Sequence, residues 1–468
     1  MEPTATHRST ARSLRDATRR GNITAPVLVV VVAAIAAGSA AAAGASRTEI
    51  SIPLIAAAGL ALAWLGSMRF TYFVAAILFV RASLDAVKLS TTGTTAADPA
   101  AIVSIVFLLA GALWLLIQPA DERAPRSPLV APLVMLALVG AFSTASSANA
   151  VSGLVDAGKL ITVAVMLAVL NQVFSTERDV RIVVAAAFGS AAIPLGVALV
   201  QYPTETGFHY SDGFARLSST FNHPNPFGIY LSFLIIMGAA ILPYLTSRVQ
   251  IALVWLMAGC GLALLATYTR SAWIAAIVGI VIVTWFISRR VMVAVLVIGA
   301  VLALTVPDIS ARFSDLDDTV TQSGAAGNSL VWRVEYWRQA LDLNDDPLLG
   351  SGLSAVRVEG SEAKEPHNDF IRVYVETGLL GLAAYLWFLW AAAKVALEGI
   401  RRTRDGFLRG VTIGFAGIIA TYVVLSLVSN VITQLALLWY VGAFAAAAVA
   451  APRLAPREEP EPVVGVDA

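Results

Sequence analysis

One cysteine, four histidines and only 13% charged residues in 468 positions set the first limits on this sequence. A single thiol, Cys260, excludes a disulfide within the chain, and its place inside an apolar run suits a small buried filler. Soluble domains carry about 25% charged residues, so a water-soluble globule is excluded. The 32 Lys and Arg nearly cancel the 31 Asp and Glu, for a net charge of +1. No bulk positive field exists to hold a nucleic acid, and no nucleic-acid partner is expected. What matters is where each charge sits.

What is abundant is apolar length. Residues of the hydrophobic set make up 58% of the chain, and the mean hydropathy is +0.76. Apolar runs long enough to cross a hydrocarbon core of about 30 Å recur from residue 25 to residue 450. In lipid, backbone groups must be satisfied within each segment, so these runs are read as helices. The expected fold class is therefore all-α, a polytopic transmembrane helical bundle of about 12 to 14 spans. The span at 70 to 88 is the weakest, because Arg81, Asp85 and Lys88 interrupt it, and the pair within 249 to 287 is open to another division. The first apolar run follows a basic stretch and imitates a signal peptide, but its length favours a retained helix.

The organisation read from these runs begins with a basic cytoplasmic tail at 1 to 24. Eleven spans follow over 25 to 306, with an outside loop at 203 to 225. A large extracytoplasmic loop with short helices takes 307 to 370, three last spans take 371 to 450, and a disordered tail takes 451 to 468. Placing the N-terminus inside leaves 20 of the 32 Lys and Arg on the inner side, as the positive-inside rule requires, and puts both termini in the cytoplasm. Within the large loop, Leu330, Trp332, Val334, Trp337 and Leu341 form a helical stripe, and DDPLLGSGLSAV reads as a turn built on Pro347, Gly350 and Gly352.

The polar residues on the outer side carry whatever chemistry the chain performs. His209, His223 and His367 are the histidines on that side. His367 stands in EPHNDFIRVYVETGLLGL, where the large loop enters the next span. Two readings stand side by side: the segment caps that helix through Asn368 or Asp369, or a neutral His367, with a reference pKa of about 6.5, takes a proton from a hydroxyl nucleophile. Arg270, in the tight turn ATYTRSAW, offers a planar cationic fork suited to phosphate oxygens. Arg216 gives a second outer cation and is open to the plainer reading of a surface arginine. Arg372 and Glu376 have the i,i+4 spacing of a structural ion pair. The acidic run holding Asp315, Asp317 and Asp318 is read as a solvated loop, and no metal site is expected.

Taken together, RLSSTFNHPNPFG, TRSAW, WRVEYWRQALDL with DPLLGSGLSAV, and above all PHNDFIRVYVETGLLGL resemble the O-antigen ligase and polymerase superfamily, over roughly residues 190 to 395. The resemblance implies a membrane glycosyltransferase that moves a glycan from a polyprenyl diphosphate carrier, undecaprenyl diphosphate or similar, to an acceptor hydroxyl on a glycan, lipid or protein. The reaction is placed at the outer face of a bacterial cytoplasmic membrane, with membrane lipid around the protein and without cofactor or metal. It implies that Arg216 and Arg270 hold the donor diphosphate and that His367 acts as base, with Arg333, Arg338, Asn368 and Asp369 as secondary helpers. Direct displacement of this kind inverts the anomeric carbon. The alternative from another class is a flippase or transporter for lipid-linked oligosaccharide. It calls for ionisable residues at mid-membrane depth, of which Asp156 and Lys159 are the main candidates.

Overall fold

The computed structural model describes residues 69–85, 98–119, 123–145, 150–206, 208–211, 214–305, 329–359 and 365–455. The first of the spans expected from residue 25 onward, the basic tail, the acidic run at 315 to 318 and most of the last tail lie outside the described residues. Up to the hairpin the elements are α1 (Phe70–Arg81), α2 (Pro99–Ile117), α3 (Val130–Thr144), α4 (Ala150–Val173), α5 (Glu177–Gly189) and α6 (Ala192–Thr204). A short antiparallel hairpin of β1 (Phe208–Ser211) and β2 (Phe214–Leu217) follows, with His209 opposite Arg216. Then come α7 (Pro224–Ile241), α8 (Ser247–Ala266), α9 (Arg270–Ile287) and α10 (Arg289–Thr305), the loop helices α11 (Ser329–Leu341) and α12 (Ala355–Glu359), and finally α13 (Asp369–Arg402), α14 (Gly406–Val428) and α15 (Leu435–Leu454).

The protein is a helical membrane bundle, as the apolar runs require. Nine helical stretches among the described residues are long and apolar enough to cross a membrane, α5 and α6 counting as one stretch. Among the described residues, the hairpin is a departure from helix that the hydropathy pattern does not announce, since its strands have only four residues each. α15 lies at the centre: nearly all its residues from Ala436 to Ala451 are buried, and its alanines let neighbouring helices approach closely. α2 lies at the edge and exposes Leu109, Leu113, Leu116 and Ile117. In water such a surface would aggregate; in lipid it is the expected solvent-facing side.

Polar side chains within spans satisfy themselves locally. Thr162, Ser232, Thr284 and Thr377 each donate to the carbonyl four residues earlier at 2.6 to 2.8 Å. α5 and α6 are separated by a break around Ser190. There Ser190 Oγ donates to Ala187 O at 2.6 Å and shares a 2.6 Å hydrogen bond with the buried Tyr230 hydroxyl.

α13, the first of the three last spans, is broken at Gly378, whose φ of 62° and ψ of −163° are non-helical. The loop segment Pro347 to Gly352 fills the break. Ser351 N and Gly352 N donate to Val375 O and Glu376 O at 2.9 and 3.0 Å, while Leu379 N and Leu380 N donate to Pro347 O and Leu348 O at 2.9 and 3.2 Å. Ser143 Oγ of α3 adds a bond to Glu376 O at 2.9 Å. A helix can be opened at membrane depth only where its freed groups find partners in protein, and here the DPLLGSG turn supplies them.

Candidate active site

Two polar clusters form at the same end of the bundle. The first is built around Arg216 on β2. Its side chain is buried, and its Nε donates to Thr267 O at 3.0 Å. Nη2 donates to Asn225 Oδ1 at 2.6 Å and to Thr269 Oγ1 at 3.0 Å. Asn225 lies in the first turn of α7 and Thr269 is the residue before α9, so one guanidinium fork ties two helix N-termini together. Tyr268, between the two threonines, has a left-handed φ of 46°, which turns both acceptors toward the fork. Helix N-termini carry partial positive charge and bare N–H groups, so the socket is a suitable place for an anion to approach.

Arg270 opens α9 directly beside this socket and is half-buried. His223 is exposed and caps α7, its Nδ1 accepting from Asn225 N at 3.1 Å. Its Nδ1 is thereby committed as an acceptor, which leaves Nε2 as the nitrogen that carries the proton in the neutral ring.

The second cluster surrounds His367, which has a left-handed φ of 52°. Asn368 is the N-cap of α13, its side chain accepting from Ile371 N at 3.1 Å. The capping reading of this segment is therefore correct for Asn368, and it leaves His367 one residue outside the helix. His367 Nδ1 lies 3.3 Å from the side-chain amide of Asn430, in the turn between α14 and α15. The ring of Trp332, from α11, meets the imidazole edge-on at 6.1 Å between centroids. Trp337, on the same helix, donates its Nε1 to Pro366 O at 2.6 Å.

Asp369 is fully buried. Its Oδ2 accepts from Val431 N at 3.2 Å and Ile432 N at 3.3 Å, and Tyr385 Oη donates to it at 3.4 Å. So Asp369 holds the backbone of the turn that carries Asn430, and through that turn the amide that faces His367.

α11 lies across this site, and its orientation corrects the stripe read from sequence. Val334 and Leu341 are exposed, whereas Tyr336 and Ala340 are buried against Val356 and Val375. Apolarity alone missed the face because an amphipathic tyrosine and a small alanine make the contact. The same rotation separates the two arginines of this helix. Arg333 is half-buried on the docked side, next to Trp332 and four residues from Trp337, while Arg338 is exposed and pairs with Glu335 at 3.9 Å.

Beneath the loop lies a compact set of charges. Arg372 is 2% exposed and pairs with Glu376 at 3.1 Å, with Glu365, and with Asp156 at 3.7 Å. Asp156 also binds Lys159 at 2.6 Å and accepts from Ser354 Oγ at 2.5 Å. The i,i+4 pair expected from sequence is present, but it is one edge of a network that fastens α4, α12 and α13 to one another. The cavity it borders has a volume of about 30 Å³, the size of a water molecule. These pairs fasten the elements to one another.

The two clusters are level along the bundle. Thr421 Oγ1 of α14 donates to Ala275 O of α9 at 2.8 Å, five residues beyond Arg270. Seven residues after Thr421, α14 ends and the chain enters the turn with Asn430. Arg270 and Asn430 therefore sit at the same end of two adjoining helices.

A family model described as O-Antigen ligase matches residues 251–386. That stretch is similar to the O-antigen ligase family. It begins in α8, takes in α9 with Arg270, and ends in α13 beyond His367 and the Gly378 break. Among curated proteins none matches the chain. Arg216 and Asn430 fall outside the matched stretch by residue number, yet bond to Thr267 and His367 within it. Sequence reasoning missed Asn430. The available signal was the polar pair Ser429 and Asn430 in a tight turn between two apolar spans, on the side already assigned to His367.

Proposed function

We propose that the protein is a membrane glycosyltransferase. It moves a glycan from a polyprenyl diphosphate carrier to an acceptor hydroxyl at the outer face of a bacterial cytoplasmic membrane, as a ligase or a polymerase. The observation that carries the reading is His367 in a left-handed conformation between Trp332 and Asn430, at the same end of the bundle as Arg270 and the Arg216 socket. Sparsely populated backbone conformations in non-glycine residues cluster at functional sites.

In this reading Arg270 receives the diphosphate, and the N-termini of α7 and α9, fixed by Arg216, add N–H groups and partial positive charge. Negative charge grows on the diphosphate as its bond to sugar C1 breaks, so fixed cations stabilise the transition state more than the ground state. His367 takes the hydroxyl proton while the acceptor oxygen attacks C1 from the opposite side, which inverts that carbon. Arg333 on the docked face of α11 is a secondary contact for the glycan or phosphate, and membrane lipid holds the polyprenyl tail.

The test is transfer by the purified full chain in lipid nanodiscs, supplied with polyprenyl-diphosphate glycan and an acceptor. Formation of an inverted glycosidic bond with equimolar release of polyprenyl diphosphate is expected. Movement of the donor between leaflets with no new bond would replace this reading with a transporter.

A further inference from the structure

We infer that the groove between α2, α3, α4 and α13, at the end of the bundle opposite His367, holds an acyl chain of a phospholipid whose anionic headgroup rests on Arg126 and Arg123. The direction of α3 sets which end this is. Near its C-terminus Ser143 Oγ donates to Glu376 O and Thr144 Oγ1 accepts from Leu353 N, both on the His367 side. Its first residue, Val130, therefore lies at the far end, next to the loop with both arginines.

The groove has a volume of about 860 Å³, and its walls are apolar: Leu115 of α2, Val134 and Leu138 of α3, and Trp387 of α13. Ala131 and Ala168 stand where longer side chains would close it. From Val130 to Leu138 it follows α3 for about 12 Å, close to the roughly 15 Å of hydrocarbon in one leaflet. That depth suits a chain entering from one interface.

The polar lining residues gather at the mouth, and the loop there is held by the protein itself. Gln172 Oε1 accepts from Ala124 N at 2.7 Å, its Nε2 donates to Ala124 O at 3.1 Å, and Asn171 Nδ2 donates to Pro125 O at 2.6 Å. Arg453 Nη1 donates to Asn171 Oδ1 at 2.7 Å, which fixes the orientation of that amide. Arg123 Nη2 donates to Leu115 O and Gln118 O at 3.1 and 2.9 Å, at the C-terminal end of α2, and the side chain stays exposed. Arg126, between Pro125 and Pro128, is exposed and has no hydrogen bond or ion pair among the described residues. Asp121 and Glu122, earlier in the same loop, lie outside the described residues. An apolar slot one leaflet deep, with cations fixed at its mouth, fits a ligand that is part hydrocarbon and part anion. Basic pockets between spans bind anionic headgroups, each Lys or Arg adding about fivefold in affinity.

The test is native mass spectrometry of the full-length protein, stripped of lipid in detergent and titrated with phosphatidylglycerol or with phosphatidylcholine of the same chains. Phosphatidylglycerol is expected to bind about fivefold or more tighter than phosphatidylcholine. Arg126→Gln lowers affinity for phosphatidylglycerol about fivefold and leaves that for phosphatidylcholine unchanged. Ala131→Phe, at an exposed wall position, lowers both. Arg178→Gln, at an equally exposed position at the start of α5 and outside the groove, changes neither. Equal affinity of the unaltered protein for the two lipids overturns the inference. So does a loss in Arg178→Gln as large as that in Arg126→Gln, which would assign the binding to bulk charge. Undiminished phosphatidylglycerol binding by folded Arg126→Gln and Ala131→Phe places the lipid elsewhere and overturns it as well. Tighter retention of polyprenyl phosphate than of phosphatidylglycerol would replace the phospholipid with the carrier.

Discussion

Gly378 and Leu348 meet backbone to backbone, 30 residues apart in sequence. Leu380 N donates to Leu348 O at 3.2 Å, and a Cβ placed on Gly378 would overlap the Leu348 carbonyl. Gly350 faces the break from the other side with a φ of 73°, and a Cβ there would stand 2.5 Å from Thr377 N. The two glycines make one joint between the loop and α13, and the joint sets the direction in which the first turns of α13 carry Asp369 and, just before them, His367.

Gly378→Ala is therefore expected to cost more than an ordinary surface change, about 2 kcal/mol or more, because both the left-handed backbone and the overlap oppose it. Thermal unfolding in detergent, followed by size-exclusion chromatography, measures this. A midpoint equal to that of the unaltered protein would show that the joint relaxes without strain.

Asp369→Leu removes the acceptor from Val431 N and Ile432 N and leaves both buried. Loss of a buried acceptor costs roughly 1 to 3 kcal/mol, and the turn with Asn430 loses its anchor. The variant is expected to unfold at lower temperature and to transfer poorly even where it stays folded. Normal transfer by folded Asp369→Leu would detach the turn from the site.

His367→Ala is expected to lower transfer by about 100-fold or more, the usual range for loss of a positioned base, with expression and elution unchanged. The pH dependence has a definite sign. A base acts in its unprotonated form, so the rate falls toward acid pH and levels off once the imidazole has lost its proton. A rate rising toward acid pH would assign His367 the role of an acid.

Arg216 and Arg270 are expected to separate by readout. Arg216→Lys cannot reproduce a fork that serves Thr267, Asn225 and Thr269 at once, so it lowers stability by about 1 to 3 kcal/mol together with transfer. Arg270→Ala, at a half-buried helix start, leaves the unfolding midpoint nearly unchanged and lowers kcat/KM for the donor. If Arg270→Ala binds and turns over donor normally, the diphosphate is held elsewhere.

Under the proposed function transfer is expected to proceed in EDTA, because guanidinium groups and helix N-termini would meet the charge of a leaving diphosphate. Inhibition by EDTA that Mg²⁺ reverses is the contrary result.

Much of this molecule was legible in the chain, and the reason is that lipid imposes local rules. Whether a stretch crosses a membrane depends on its own length and apolarity, so the bundle follows from hydropathy, and the motifs around Arg270 and His367 pointed to the family matched over 251–386. The pairing of Arg372 with Glu376 and of Asp156 with Lys159 was equally local, fixed by helical spacing. What tertiary structure alone decided are relations between distant positions. It joined Asp369 to Val431, opened α13 at Gly378 to receive the loop, gathered three acceptors around Arg216, and turned Arg333 inward and Arg338 outward. Such contacts depend on where helix ends meet in space, and neither periodicity nor apolarity along a single run encodes that meeting.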